Sequence, residues 1–223
     1  MYVRTWMSRD VITARMDEDI ADAVALMKKH NIRRLPVLDA EDRVAGIVTL
    51  LNLCMLLPLE HNPLKEDVAI EPTGVTVGEV MERNVPTVTP NQSIEDVASI
   101  MRANRATVMP VVDRGRMVGI VTESDVFDAM ACAFGAGQGG VRITFDLPDD
   151  PKALVKVAQA MRTFAITVLN MTLYHTEDEE RETFTLRVQG KDVDRFVQSL
   201  WKMGCRVLGV KDEEAAEESP EEP

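Results

Sequence analysis

Residues 46–52 read GIVTLLN and residues 119–125 read GIVTESD. Each heptad closes a longer copy of one pattern. MSRDVIT at 7–13 corresponds to MERNVPT at 81–87, and RRLPVLD at 33–39 corresponds to TVMPVVD at 107–113. Met7, Thr13, Ile20, Met27, Pro36 and Asp39 map at constant spacing onto Met81, Thr87, Ile94, Met101, Pro110 and Asp113. Gly46 maps onto Gly119 at a spacing one residue shorter, which puts a deletion in the turn between. Self-similarity over this length means a duplicated supersecondary unit. Two such units pack with approximate two-fold symmetry, so any cleft at their junction comes in two versions. Differences between the versions indicate which one is used.

Each copy carries the same coarse order. A short β-branched stretch (Val11 to Thr13; Val85 to Val88) leads to an amphipathic helix with a capping signature at its start, Asp19 to Asp22 in one copy and Ser93 to Asp96 in the other. Ile20, Val24 and Met27, and in the second copy Ile94, Val97 and Met101, recur at helical spacing and define one buried stripe. Strands follow at Leu35 to Leu38 and Val44 to Thr49, and at Met109 to Val112 and Met117 to Thr122. A second helix closes each unit, at about Leu50 to Leu57 and Glu123 to Phe134. The unit is β-α-β-β-α. The organisation read from the chain is a first repeat at 1–60, a connection at 61–74, a second repeat at 75–134, a glycine-rich linker at 135–140, a third domain at 141–210 and a disordered acidic tail at 211–223.

The third domain has a different rhythm. Strands are expected at Val141 to Leu147, Thr167 to Tyr174, Thr183 to Val188 and Arg206 to Val210, with helices at Pro151 to Phe164 and Asp192 to Met203. This β-α-β-β-α-β order is ferredoxin-like, with helices on one face of an antiparallel sheet. The fold class is α+β throughout.

Composition narrows the function. The chain of 223 residues has 45% apolar and 28% charged residues, ordinary proportions for a globular protein. A formal charge of −12 argues against binding nucleic acid through its phosphates. Much of that charge lies beyond residue 210, where seven carboxylates face one lysine. No leader and no run of about 20 apolar residues is visible, so a cytoplasmic location without membrane association is expected. Cys54, Cys132 and Cys205 lack metal or redox spacing and read as reduced core residues. His30, His61 and His175 are scattered, and no metal site is expected. No nucleophile–base arrangement, glycine-rich phosphate loop or carboxylate pair stands at a recognisable spacing, so the chain reads as a non-enzyme.

The segment G-I-V-T-E-S-D-V at 119–126, following a proline-bearing strand in both copies, resembles the CBS-domain family, whose tandem pairs form Bateman modules. The third domain resembles an ACT domain. The order is similar to that of bacterial acetoin-utilisation regulatory proteins. The resemblance implies a non-catalytic sensor that binds an adenosine-type ligand (AMP, ADP or ATP, and less often S-adenosylmethionine) between the repeats. It also implies a homodimer formed through the repeats' helices, and relay to the ACT domain or to a regulated metabolic enzyme. The alternative is a constitutive dimeric scaffold with vestigial clefts.

In that family each cleft is composite. One version would combine Thr122, Ser124 and Asp125 with Met7, Val11, Ile12, Arg33 and Arg34. An ionised Asp can accept from both ribose hydroxyls, hydroxyls beside a helix start can donate to phosphate, and arginine can neutralise it. The other version would combine Thr49, Leu51 and Asn52 with Met81, Val85, Thr107 and Val108. Asn52 replaces the Asp there and no arginine precedes Pro110, so this cleft is expected to be empty, weak, or suited to an uncharged ligand. In the ACT-like part, Asp149, Lys152 and Ala153 lie on the family's ligand loop. Lys152 stands where that loop has glycine, which argues for a dimerisation or relay role over amino-acid binding.

Overall fold

The computed structural model describes residues 1–56, 71–148, 150–175 and 182–214. The chain divides into two compact units, Met1–Ala129 and Met130–Pro223.

In the first unit, helix α1 (Val3–Trp6) and strand β1 (Ala14–Arg15) precede α2 (Ile20–Lys29), β2 (Arg34–Leu38), β3 (Val44–Thr49) and α3 (Leu50–Cys54). The second copy runs α4 (Val77–Val80), β4 (Glu82–Arg83), α5 (Ile94–Asn104), β5 (Val108–Asp113), β6 (Arg116–Thr122) and α6 (Glu123–Ala133). The expected caps form: Asp19 accepts from the Ala21 N–H at 2.8 Å and Ser93 accepts from the Asp96 N–H at 3.0 Å. These bonds satisfy helix N–H groups that have no intrahelical acceptor. The leading strands are shorter than their β-branched residues suggest. Val11 to Thr13 are irregular, and the second copy keeps only a bridge between Val88 and Val111.

The lead segment of each copy crosses to the other copy. Ser8 exchanges backbone hydrogen bonds with Ile120 (3.0 and 2.9 Å), and Val3 and Met7 lie in one core with Ile94, Val97, Met101 and Val121. Reciprocally, β4 pairs with β3 through Gly46–Arg83 and Ile47–Glu82, and Val77 and Met81 enter the core of Ile20, Met27, Leu35 and Val48. Gly46 and Gly119 exist for this crossing. A Cβ on Gly119 would meet the Ser8 carbonyl oxygen at 2.8 Å and the Met7 sulfur at 2.9 Å; on Gly46 it would collide with the Glu82 carbonyl oxygen. A second clasp secures the return of the chain. The Asp19 carboxylate also accepts from the N–H groups of Thr73 and Gly74 (shortest contacts 3.0 and 2.7 Å) and from the Thr73 hydroxyl at 3.1 Å. These donors, with the Ala21 N–H foremost, hold its pKa below the usual carboxylate value.

The second unit has the expected order. Strands β7 (Gly140–Asp146), β8 (Thr167–His175), β9 (Glu182–Gln189) and β10 (Arg206–Glu213) form an antiparallel sheet in the order β10-β7-β9-β8, with α7 (Ala153–Thr163) and α8 (Val193–Lys202) packed on one face. The core holds Ile143, Phe145, Phe184, Leu186, Phe196 and Leu200, with the Phe145 and Phe184 rings stacked at 5.9 Å. On the opposite face, the buried Asp146 accepts from the Thr183 hydroxyl at 2.7 Å and from Arg206 at 2.6 Å.

Two sequence expectations are corrected. The last strand does not stop at Val210, so the tail does not begin at Lys211. Strand pairing continues to Glu213 opposite Gly140 because the sheet supplies counter-charge: the Glu213 carboxylate meets Arg187 at 2.8 Å, Lys211 at 3.3 Å and Arg142 at 3.4 Å. The remaining tail, 215–223, and most of the connection between the repeats lie outside the described residues. Cys132 is exposed on α6 rather than in a core, whereas Cys205 is buried and Cys54 packs against the first core.

Ala at position 119 must displace backbone, so Gly119→Ala is expected to cost about 1–3 kcal/mol in urea denaturation followed by circular dichroism. An unchanged midpoint would show that the crossing tolerates a side chain. The hydrogen bond from Arg187, and the charges around it, hold the Glu213 pKa below its ordinary value. A depressed carboxylate contributes stability above its unfolded pKa and loses it as pH falls through the folded one. Glu213→Gln should therefore lower the melting temperature at pH 7, and the gap from wild type should close on acidification. A gap independent of pH would contradict the ion-pair role.

Candidate functional site

The crossing leaves a cleft on either side of the junction between β2 and β5. The larger has a volume of about 480 Å3. Val11, Ile12 and Ile32 form one apolar wall and Val108 and Ile120 another, while Thr107, Thr122 and Ser124 bring hydroxyls. Arg33 and Arg34 supply positive charge, and Asp10 and Glu123 bring carboxylates. Both arginines are exposed, and among the described residues neither has an ion-pair partner. Backbone pairing fixes them: the Arg33 carbonyl accepts from the Leu50 N–H at 2.9 Å, and Arg34 sits opposite Thr49 in the ladder. The same bond recurs across the duplication, where the Thr107 carbonyl accepts from the Glu123 N–H at 3.1 Å.

The smaller cleft, about 260 Å3, uses the equivalent positions of the other copy. Val85 and Pro86 stand for Val11 and Ile12, Ile47 for Ile120, Ala106 for Ile32 and Thr49 for Thr122. It is not without cations, which corrects the reading made from the residues before Pro110. Arg105, in a left-handed conformation (φ 53°) just past α5, lines it, and so does Arg34 from across the junction. Linear sequence hides both, because one is set by a helix end and the other by the opposite repeat.

Asp125 and Asn52 have the same local role. The Thr122 N–H and hydroxyl both donate to Asp125 Oδ2 at 2.7 Å, and the Asp125 N–H returns to Thr122 Oγ1 at 3.3 Å. Asn52 Oδ1 accepts from the Thr49 N–H at 3.2 Å and from its hydroxyl, and the Asn52 N–H donates back to Thr49 Oγ1 at 3.2 Å. Each is a reciprocal cap at a helix start. The cap turns the threonine hydroxyl and fixes the first turn of the helix at the cleft.

Among the described residues no three His, Cys, Asp or Glu side chains converge as a metal site, and no helix is long and apolar enough to cross a membrane.

The family model for the CBS domain matches residues 3–58 and again 77–132, so the two copies account for half of the chain. The chain belongs to the CBS-domain family. Residues 139–211 match the TTHA0829-like ACT domain. CBS and ACT domains are regulatory modules. The uncharacterized protein MJ1225 of Methanocaldococcus jannaschii is 35% identical over 129 residues, covering 56% of this chain and 46% of that protein. The CBS domain-containing protein DDB_G0289609 of Dictyostelium discoideum is 28% identical over 130 residues, 57% of this chain and 90% of its own length. Among solved structures, the CBS domain pair of protein MJ0100, in complex with 5′-methylthioadenosine and S-adenosyl-L-methionine, is 30% identical with a TM-score of 0.49. It covers 59% of this chain and 97% of that one. The chain spans less than half the length of MJ1225.

Of the residues expected in the main cleft, Val11, Ile12, Arg33, Arg34, Thr122 and Ser124 line it together. Met7 does not: it is buried over Gly119 in the core of the second CBS repeat. Asp125 is half-buried behind Thr122 and does not line the cavity. In the second cleft Thr49, Val85, Thr107 and Val108 line the wall, Asn52 lies in the cap, and Met81 is buried over Gly46. Leu51 is exposed on α3 and borders a third depression of about 410 Å3, with Arg33, Arg34 and Cys54. Ser8, Asp10, Ile32, Pro36, Ile120 and Glu123 were missed; Glu123, between Thr122 and Ser124, could have been found from the motif itself. In the ACT domain Asp149 lies outside the described residues. Lys152 has φ −96°, which any residue adopts, so replacing glycine there strains nothing. Its N–H donates to Asp150 at 2.9 Å, and Ala153 is buried as the first residue of α7.

Proposed function

We propose that the CBS pair is a regulatory ligand-binding module whose large cleft takes an adenine nucleotide or related adenosine derivative. The supporting observation is a cavity of about 480 Å3 that joins apolar walls, the hydroxyl residues Ser8, Thr107, Thr122 and Ser124, and two arginines that have no ion-pair partner among the described residues. Apolar walls from both repeats suit a purine base, and Arg33 and Arg34 suit a phosphate, which guanidinium binds bidentately. Asp125 stands behind Thr122, and its Oδ2 holds the Thr122 hydroxyl at the cleft wall. AMP, ADP and ATP bring a phosphate that Arg33 and Arg34 can bind, which S-adenosylmethionine lacks. Because the walls come from both repeats, ligand binding favours one arrangement of the pair. The ACT domain or a partner enzyme would read that arrangement.

A homodimer belongs to the same reading. Leu51 (72% exposed) and Met55 (78%) stand one turn apart on and just past α3, and Phe127 (66%) and Met130 lie on one side of α6 with Phe134 just past its end. Exposed apolar side chains at such spacing on two short helices suit a helix-to-helix contact with a second copy.

Calorimetric titration should show AMP, ADP or ATP binding to the wild-type chain, weakened about tenfold or more by Arg33→Ala. Asn52 shows that an amide keeps the cap, so Asp125→Asn should keep both stability and binding, whereas Asp125→Ala, which removes the cap, should weaken both. Absence of saturable binding by any adenosine ligand at millimolar concentration would favour a constitutive scaffold with vestigial clefts. Sedimentation should give a dimer that Phe127→Glu with Met55→Glu converts to a monomer; a wild-type monomer rejects the assembly.

A further inference from the structure

Three side chains line both clefts: Arg34, Thr107 and Val108. The duplication explains why. Arg34 and Val108 begin the equivalent strands β2 and β5 and face Thr49 and Thr122 in their ladders. They occupy the junction at which the two clefts meet. One of the two equivalent positions carries a guanidinium and the other an isopropyl group, so among the described residues one junction cation serves both cavities. The remaining cations are private: Arg33 lines the large cleft and Arg105 the small one.

We propose that Arg34 couples the two clefts negatively for anionic ligands, so that a phosphate held in one cleft weakens binding of a phosphate in the other. This rests on the reading of the large cleft as a nucleotide site. An anion in the large cleft neutralises Arg34 and places its own negative charge beside the small cleft. The small cleft then keeps Arg105 and faces Glu82, which lines its wall. Coupling of this kind is reciprocal, and a several-fold change in affinity is an ordinary magnitude for it. The asymmetry of the duplication then has a regulatory sense: the clefts differ in volume and in private side chains, Arg33, Asp10 and Glu123 in one and Arg105 and Glu82 in the other, so they fill at different concentrations. The chain would report two ranges of nucleotide level.

The test is AMP titration of the full chain by calorimetry, in variants that close one cleft. Ser124 is exposed and lines only the large cleft among the two, so Ser124→Trp blocks that cleft; Ile12→Trp is the second blocking variant if the first fails to fold. Val85→Trp blocks the small cleft. With the large cleft closed, AMP should bind the small cleft about fivefold or more tightly than it does in wild type whose large cleft is filled. Arg34→Met should weaken AMP in both blocked proteins, and Arg33→Met only in Val85→Trp. Equal small-cleft affinities in wild type and Ser124→Trp, no AMP binding to Ser124→Trp and Ile12→Trp, or indifference of the small cleft to Arg34→Met would each overturn the coupling while leaving the large-cleft site standing. No AMP binding to the wild type overturns the nucleotide site, and the coupling falls with it.

Discussion

Two methionines lying across two glycines organise the first unit. Met7 over Gly119 and Met81 over Gly46 carry the lead of each CBS repeat onto the hairpin of the other. The close backbone approach needs a position without a Cβ, and the thioether fills the remaining space with an adaptable chain. Each hydrophobic core is therefore completed by residues from the other copy: Val3 and Met7 finish the second, Val77 and Met81 the first. The clefts are by-products of this exchange, because a segment that crosses brings its next residues to the junction. Val11 and Ile12 reach the large cleft this way, and Val85 and Pro86 the small one.

The fold was legible because the elements advertise themselves locally. Caps at Asp19 and Ser93, the apolar stripes of α2 and α5, and the alternating strands of the ACT sheet need only neighbouring residues to be read. Duplication doubled each of these signals. The α1 and α4 helices were not legible, since a four-residue helix has too little periodicity to stand out. The extension of β10 was hidden by composition: Lys211 to Glu213 look like the start of an acidic tail, and only Arg142 and Arg187 on neighbouring strands turn that charge into an anchor.

The candidate site was half legible. Residues that contact the cleft from their own repeat, Thr122 and Ser124, follow from a motif. Arg33 and Arg34 follow from composition beside the strand proline. Met7 and Met81 misled because an apolar residue at the start of a repeat serves a core as readily as a ligand. Asp125 drew attention for its charge, yet its first partner is the hydroxyl of Thr122, the residue just before its own helix, as Thr49 is for Asn52. Arg105 and the shared position of Arg34 depend on how the copies meet, which no single copy encodes.

The crossing leads also bear on how such a protein could be divided. Neither repeat is a self-sufficient piece, since each holds the segment that the other's core lacks. A chain severed between residues 56 and 71 would yield two fragments, one carrying Val3 and Met7 for its partner and the other carrying Val77 and Met81 in return. Such halves are made to find each other, and their reassembly without a covalent link would follow from the same packing that joins them in the intact chain.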